Sequence, residues 1–155
     1  MTKPSAAAQR KETRDALDVS ALDTLMGYLA TKAEVRLRRV FLHVNKGTQI
    51  RPVDFSVLVL LATNVRANQK QLGLELEVSP PNMAVVLDRM EERKWIKRVR
   101  NPEDRREQFV EITEAGRKLA DQAMQRTLEA EEGPLRRLSQ TERRLLAELL
   151  RKIGE

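Results

Sequence analysis

The chain of 155 residues contains no cysteine, a single histidine and only 3% aromatic residues. The absence of cysteine excludes disulfides, thiolate metal sites, thiol catalysis and cysteine-based redox sensing. One histidine cannot build a histidine-rich metal centre. The scarcity of aromatics argues against a binder of single-stranded nucleic acid, which stacks bases on exposed rings. We therefore expect neither a metal nor a cofactor.

Long apolar runs are also missing, since none approaches the ~20 residues that a membrane span needs. The first residues lack the apolar segment of a secretory signal, and a chain without disulfides fits a reducing cytosol. We expect a cytoplasmic protein with no membrane partner. The sequence shows neither a nucleophile elbow nor a glycine-rich phosphate loop, so it predicts no enzyme.

Positive charge is concentrated in two stretches of the chain, whose formal net charge is +6. Seven cations lie between Arg93 and Arg106 against two acids, and residues 1–14 carry four cations against one acid. A basic balance favours an acidic partner, most commonly nucleic acid. The alternative is an ordinary solvated surface, but such a surface spreads its charge more evenly.

Amphipathic helices are predicted at both ends of the folded part. Apolar residues recur every three or four positions from Leu22 to Val44, which is typical of one long helix face. A leucine-rich stripe runs from Leu138 to Ile153, and capping residues at 139–142 mark the start of its helix. Both stripes are too long for one small domain to cover, so they predict a homodimer.

The middle of the chain predicts a helix-turn-helix. Residues 55–62 are apolar nearly all round and favour a central helix, although Val57 and Val59 leave a strand open. Residues 68–77 and 80–93 then form two short helices joined by a turn. Ser79 is placed as the N-cap and Pro80 in the first turn of the second helix. That helix turns four apolar side chains inward: Met83, Val86, Leu87 and Met90.

A β-hairpin with a charged tip follows over residues 95–113, with Asn101 and Pro102 at its turn. Thr113 is predicted to cap a further helix, which Gly133 and Pro134 end. A helix-turn-helix followed by a basic hairpin is a winged helix. Its second helix fits the major groove of DNA, and an arginine at the hairpin tip reaches the minor groove.

The run LGLELEVSPPNMAVVLDRMEERKWIKRVRNPEDRREQFVEITEAGRKL resembles the winged helix of the MarR family of bacterial transcription regulators. Its most specific features are the DRR of residues 104–106 and the ITEAG of residues 112–116. The resemblance covers about residues 20–153. It implies a mainly α fold with a small β-hairpin wing, flanked by N- and C-terminal dimerisation helices. Glu77 and Lys94 stand where the family pattern has glycine, so we expect a strained backbone or a shifted turn at each.

The resemblance also implies a domain order and a function. Residues 1–17 would be a disordered basic tail, 18–48 an N-terminal dimerisation helix, 49–113 the DNA-binding region and 114–155 the C-terminal dimerisation helices. The family implies a homodimer that binds a pseudo-palindromic operator in double-stranded DNA at the bacterial nucleoid. It is usually a repressor that a small molecule releases.

Candidate DNA contacts lie on the second helix and the wing. Asparagine can read adenine, and arginine can read guanine or hold a phosphate. Met83 and Val86 can touch thymine methyls, with core packing as the alternative. By resemblance, Arg106 is the minor-groove arginine and Asp104 orients it or a neighbouring arginine. The predicted set is Ser79, Pro80, Asn82, Met83, Val86, Arg89, Arg98, Asp104, Arg105 and Arg106.

Candidate ligand contacts follow from the resemblance alone, because the family binds ligands between the first helices and the winged domain. Tyr28, Arg36, His43 and Phe55 are placed there, and the predicted effector is a small aromatic or phenolic acid. Core packing or a salt bridge is the alternative for each residue. Two other functions remain open, an architectural protein that coats duplex DNA and a protein–protein adaptor built on a winged helix.

Overall fold

The structure, a computed structural model, describes residues 17–64, 66–100 and 108–154. Within these ranges the chain forms six α-helices and one small antiparallel sheet. The predicted fold class, mainly helical with a small β-wing, is confirmed. The elements are α1 Met26–Val44, α2 Pro52–Thr63, β1 Ala67–Asn68, α3 Gln69–Glu75, α4 Pro80–Glu92, β2 Ile96–Arg100, β3 Gln108–Ile112, α5 Glu114–Leu135 and α6 Gln140–Gly154.

The chain divides into two compact units between Val35 and Arg36, within α1. In the first unit a 3₁₀ turn at Leu22–Thr24 precedes α1, and the N–H of Leu25 donates to the carbonyl of Leu22 at 2.9 Å. The apolar side chains of this unit remain exposed: Leu22, Leu25, Met26 and Leu29.

In the second unit, helix α2 lies in the middle of the core. Pro52 begins the helix, and the carboxylate of Asp54 accepts from the N–H of Arg51 at 3.1 Å, so the helix start is held by its own first turn. The side chains of Val57 and Leu58 are completely buried. The segment 55–62 is therefore helical, as its length and flanks predicted, and the strand alternative is wrong.

Helices α3 and α4 form the predicted helix-turn-helix. Asn68 caps α3, because its side chain accepts from the N–H of Gln71 at 2.8 Å. The turn is tight, since a Cβ added at Gly73 would lie 3.0 Å from the carbonyl oxygen of Val78. Glu77 lies in the turn with a left-handed backbone, φ 52°, and Lys94 lies two residues after the end of α4 in the same left-handed region, with φ 59°. The strained backbone expected at these two positions is confirmed.

The wing strands belong to a three-stranded sheet in the order β1-β3-β2. Strands β2 and β3 form the predicted hairpin, with Ile96 opposite Ile112 and Arg100 opposite Gln108. Strand β1 pairs with β3 through Ala67 and was not predicted, because two residues are too short to show a period.

The junction between the wing and α5 is built around Thr113. Its hydroxyl accepts from the N–H of Gly116 at 3.0 Å and caps the helix, as predicted. The same hydroxyl lies 2.7 Å from the carbonyl oxygen of Lys94 and 3.0 Å from that of Trp95. A Cβ added at Gly116 would lie only 2.0 Å from the Trp95 carbonyl oxygen.

The end of α5 differs from the prediction. Gly133 and Pro134 do not end the helix, which continues to Leu135. Proline is tolerated there because the last turn loses only one hydrogen bond of the ladder. Helix α6 starts at a capping box, in which Ser139 donates its N–H to Glu142 at 2.7 Å and its hydroxyl at 2.8 Å. These bonds hold the pKa of Glu142 below its usual value.

Among the helices of the described ranges, none combines the length and the apolar character that crossing a membrane requires.

Candidate nucleic-acid interface

Helix α4 divides sharply into a core side and a solvent side. Its four predicted inward residues, Met83, Val86, Leu87 and Met90, are all buried. Its first two turns present a different set to solvent: Ser79, Pro80, Pro81, Asn82 and Val85. Ser79 is the N-cap residue, but its side chain makes no capping hydrogen bond, and its hydroxyl therefore remains available. The N-terminal half of α4 is thus an exposed surface on a firmly anchored helix.

Met83 and Val86 require a correction as surface residues. Their side chains are 0% and 8% exposed and belong to the core formed with α2 and the sheet. Since each fills space between packed elements, neither presents a methyl group to the outside of the helix. The alternative that the sequence left open, core packing, describes both.

Arg89 requires a similar correction, because it is held inside the protein. Its guanidinium pairs with the carboxylate of Asp54 on α2, which is completely buried, and the Nε atom of Arg89 is buried without a partner. A buried carboxylate needs such a partner, since leaving it unpaired lowers the free energy of unfolding by about 3–5 kcal/mol. Arg89 therefore anchors α4 to α2.

Arg98 joins the wing to α4 and is also not free at the surface. Its backbone N–H donates to Glu91 at 3.0 Å, and its guanidinium donates to Asp88 at 2.6 Å and also to Glu91. Burial lowers the pKa of Arg98, but the hydrogen bonds to the two carboxylates outweigh it and raise that pKa above its usual value. Arg98 thus neutralises two acids of α4 and fixes β2 against that helix.

Several cations remain exposed around this surface. Arg100 ends β2 and pairs with no acid within the described residues, whereas Lys97 pairs with Glu111 across the hairpin at 3.0 Å. Arg66 lies 5.5 Å from the centre of the Phe109 ring, and Lys70 lies exposed on α3. Lys70 and Arg100 lie on α3 and at the end of β2, the elements that pack against α4, and Arg66 directly precedes β1.

The DRR segment, Asp104, Arg105 and Arg106, lies outside the described residues. Its roles at the wing tip stay predictions. The strands that carry it end at Arg100 and begin again at Gln108, directly opposite one another.

Three of the four residues predicted to bind a ligand, Arg36, His43 and Phe55, belong to the second unit, and they do not form one cluster there. Arg36 and His43 are exposed on one side of α1, while Phe41 points into the core from the other side. Phe55 packs on Phe41 with ring centroids 5.3 Å apart. Phe55 is therefore a core contact, which is the alternative that the sequence left open. In the first unit Tyr28 is half-buried, with the Lys32 ammonium 5.0 Å from its ring.

Comparison with known proteins places this architecture in one family. A model of the MarR family matches residues 50–108, from the start of α2 to the start of β3. The solved structure of the transcriptional repressor CouR bound to a 23-mer DNA duplex superposes with a TM-score of 0.84 at 31% identity, covering 91% of this chain and 100% of that chain. The chain belongs to the MarR family.

Two regulators from Bacillus subtilis support the assignment to the MarR family. The HTH-type transcriptional regulator YpoP is 32% identical over 92 residues, which cover 56% of this chain and 65% of YpoP. The regulator YwhA is 25% identical over 142 residues, covering 91% of this chain and 98% of YwhA. A second structure of CouR, bound to p-coumaroyl-CoA, superposes with a TM-score of 0.79 at 29% identity and covers 90% of this chain and 99% of that chain. This member of the MarR family is a transcriptional regulator that binds DNA.

One surface residue of α4 was not predicted from the sequence. Val85 is 62% exposed, whereas its neighbour Val86, which was chosen instead, is buried. The signal was present, because a helix turns about 100° per residue and the inward set of α4 already places Val85 on the opposite side. The ion pairs of Arg89 and Arg98 carried no comparable signal, since the partner Asp54 lies 35 residues from Arg89 in the chain.

Proposed function

We propose that this MarR-family protein is a homodimeric repressor that recognises a pseudo-palindromic operator and is released from it by a small anionic ligand. The observation that carries the proposal is the exposed N-terminal half of α4. It presents Asn82 and Val85 outward while Arg89 and Arg98 hold the helix to α2 and to the wing. The CouR complex with DNA supports the same use of this fold.

On this proposal the N-terminal half of α4 lies in the major groove. Asn82 pairs with the N6 and N7 edge of an adenine, and Ser79 and Pro80 lie at the helix start beside a phosphate. Arg66, Lys70 and Arg100 contact the backbone and set the register. Arg89 and Arg98 position α4 and do not contact bases.

Selection from random duplex DNA followed by footprinting tests sequence-specific binding. We expect enrichment of an inverted repeat with half-sites about 10 base pairs apart, because a two-fold dimer presents two α4 helices one helical turn apart. Uniform protection of duplex would support an architectural coat instead. Absence of duplex binding at low salt would support a protein adaptor.

The wing is proposed to reach the adjacent minor groove through Arg105 and Arg106, with Asp104 orienting the arginines. Truncating Arg106→Ala should weaken operator binding by about 1–3 kcal/mol and lower the salt slope by about one phosphate equivalent. Asp104→Ala is the sharper variant. If Asp104 orients an arginine, its removal weakens operator binding although it makes the surface more positive. Tighter binding by Asp104→Ala would show that the wing acts only as a patch of charge.

Dimerisation is proposed to use residues 18–48 and 114–155, with 49–113 as the DNA-binding region. Helix α6 supports this assignment, because its apolar side chains are 41–76% exposed: Leu145, Leu146, Leu149, Leu150 and Ile153. Monomeric proteins rarely leave such a contiguous apolar stripe in water. A second copy of the chain offers the same stripe, which a two-fold axis pairs with itself.

Release by a ligand is proposed to use Arg36 and His43, which are exposed and share one side of α1. CouR supports an anionic aromatic ligand, because its p-coumaroyl-CoA complex is that of an aromatic acyl thioester with phosphate groups. The probes are p-coumarate and p-coumaroyl-CoA, added to the preformed operator complex. Arg36→Ala and His43→Ala should weaken release while operator affinity stays near that of the parent. Unchanged release by both variants would move the ligand site elsewhere.

A further inference from the structure

Val85 stands out as an exposed apolar side chain in the middle of a DNA-reading helix. It is 62% exposed and takes no part in the core that Met83, Val86 and Leu87 join. A β-branched residue also stabilises an exposed helix position less than alanine does. Folding therefore gives Val85 no stabilising role, although it lies next to the residue proposed to read a base.

The exposed surface of α4 changes character along its length. Its first two turns carry Pro81, Asn82 and Val85, while its last turns carry the acids Asp88 and Glu92. Asp88 is neutralised by Arg98 at 2.6 Å. Acidic side chains face phosphates poorly, so close approach to base edges is confined to the N-terminal half, where Val85 is the largest apolar group.

Only one base presents an apolar group in the major groove, and that group is the C5 methyl of thymine. Side chains at positions i and i+3 of a helix have Cβ atoms about 5–6 Å apart. Base pairs stack about 3.4 Å apart, so Asn82 and Val85 address neighbouring positions of one half-site.

We propose that Val85 is a specificity-determining residue that reads a thymine through its C5 methyl, beside the base read by Asn82. The inference rests on the proposed function, because it requires α4 to lie in the major groove. It replaces the thymine contacts first assigned to Met83 and Val86, which the core excludes. Each half-site of the operator then contains one thymine whose methyl group is essential for affinity.

Methyl deletion on the DNA tests the inference directly. In an operator selected from random duplex, each thymine is replaced singly by deoxyuridine, which removes only the methyl group. For the parent protein we expect about a fourfold loss of affinity at one position per half-site, the equivalent of one buried methylene. Fluorescence anisotropy of labelled duplexes measures these affinities at fixed salt.

The protein variant completes the cycle. Val85→Ala should discriminate between the thymine and deoxyuridine operators less than the parent does, because the two Cγ methyl groups of valine are gone and only the Cβ remains. Leu74→Ala is the matched control, since Leu74 is also an exposed apolar residue, 71% exposed, but lies on α3. Leu74→Ala should keep the fourfold discrimination. The thermal unfolding midpoint of Val85→Ala should equal or exceed that of the parent. A change in DNA binding would then not result from a loss of stability.

Three outcomes overturn the inference. A flat deoxyuridine scan with a tightly bound operator shows that no methyl is read, while the proposed function stands. Undiminished fourfold discrimination in Val85→Ala assigns the methyl contact to another residue. Failure to select any operator refutes sequence-specific binding and, with it, the role of Val85.

Discussion

Gly116 shows how a single residue can determine a junction between two elements. It lies where α5 begins against the carbonyl of Trp95, which also accepts from the N–H of Thr113 at 3.0 Å. The threonine and the glycine of the ITEAG segment therefore have separate physical tasks. Thr113 satisfies the helix start, and Gly116 leaves the space that lets α5 approach the backbone beside β2.

Replacing Gly116→Ala should destabilise the protein severely. The new Cβ would meet a backbone oxygen at 2.0 Å, and backbone cannot rotate away as a side chain can. We expect a loss of about 3 kcal/mol in the free energy of unfolding, as for a strongly overpacked core. Denaturant unfolding measures it.

Gly27→Ala is the matched control for this substitution. Nothing lies within 4 Å of a Cβ at Gly27, which is in the first turn of α1. We expect unchanged stability or a gain of up to about 1 kcal/mol from helix propensity. Equal losses for the two variants would show that the contact with Trp95 is not the cause.

Replacing Glu77 or Lys94 with glycine should stabilise the protein. Their φ angles of 52° and 59° lie in the left-handed region, where a Cβ costs about 1 kcal/mol. We expect Glu77→Gly and Lys94→Gly each to raise the free energy of unfolding by up to that amount. Gln122→Gly, at an exposed position inside α5, should lower it by about 0.5 kcal/mol. A loss at all three positions would contradict the account.

At the scale of elements, the surface proposed to read DNA depends on the contacts that hold α4 in place as well as on the side chains that α4 exposes. Arg89 ties it to α2, and Arg98 ties β2 to its C-terminal half. Both arginines were expected at the DNA surface. Their side chains are only 17% and 23% exposed, because their guanidinium groups form ion pairs with carboxylates on neighbouring elements.

Substitutions that each remove one charge distinguish anchoring by Arg98 from contact with DNA. Arg98→Ala should lower the free energy of unfolding by about 2 kcal/mol, since it strips charged hydrogen bonds from two acids. Glu91→Gln should loosen the wing as well, seen as faster amide hydrogen exchange in β2 and β3. Lys97→Ala breaks an exposed pair and should cost at most about 0.5 kcal/mol. If Glu91→Gln instead tightened operator binding without faster exchange, Arg98 would be a phosphate contact.

Sequence reasoning succeeded where the signal was periodic or local. The inward face of α4 and the cap at Thr113 could be predicted from neighbouring residues. The strained positions Glu77 and Lys94 were expected from the family resemblance, whose pattern has glycine there. It failed where the outcome depended on distant partners, as for Arg89 and Asp54, or on a strand of two residues. The exposed residue Val85 was not predicted because its neighbour Val86 was chosen instead, and a difference of one position rotates a helical side chain by about 100°.

For the molecule as a whole, we expect a second copy of the chain to bury the exposed apolar stripe of α6. The intact chain should sediment as a dimer at micromolar concentration. Leu146→Glu combined with Leu150→Glu places two charges on one side of α6 and should give monomers. Operator affinity should then fall by about a hundredfold, because the two half-sites no longer act together.

The control for dimer disruption is Leu74→Glu. This change adds the same charge at an exposed leucine on α3 and should leave the dimer intact. A parent protein that sediments as a monomer would remove the dimer from the proposal.

Trp95, the only tryptophan of the chain, lies between α4 and β2. Its backbone N–H donates to the carbonyl of Met90 in the last turn of α4, and the guanidinium of Arg93 lies 4.9 Å from the centre of its half-buried ring. Because indole emission responds to charges and solvent around the ring, a change in the position of Arg93 should shift that emission. The protein thus carries one tryptophan between the two elements proposed to contact DNA, and we expect binding of unlabelled duplex to change its fluorescence.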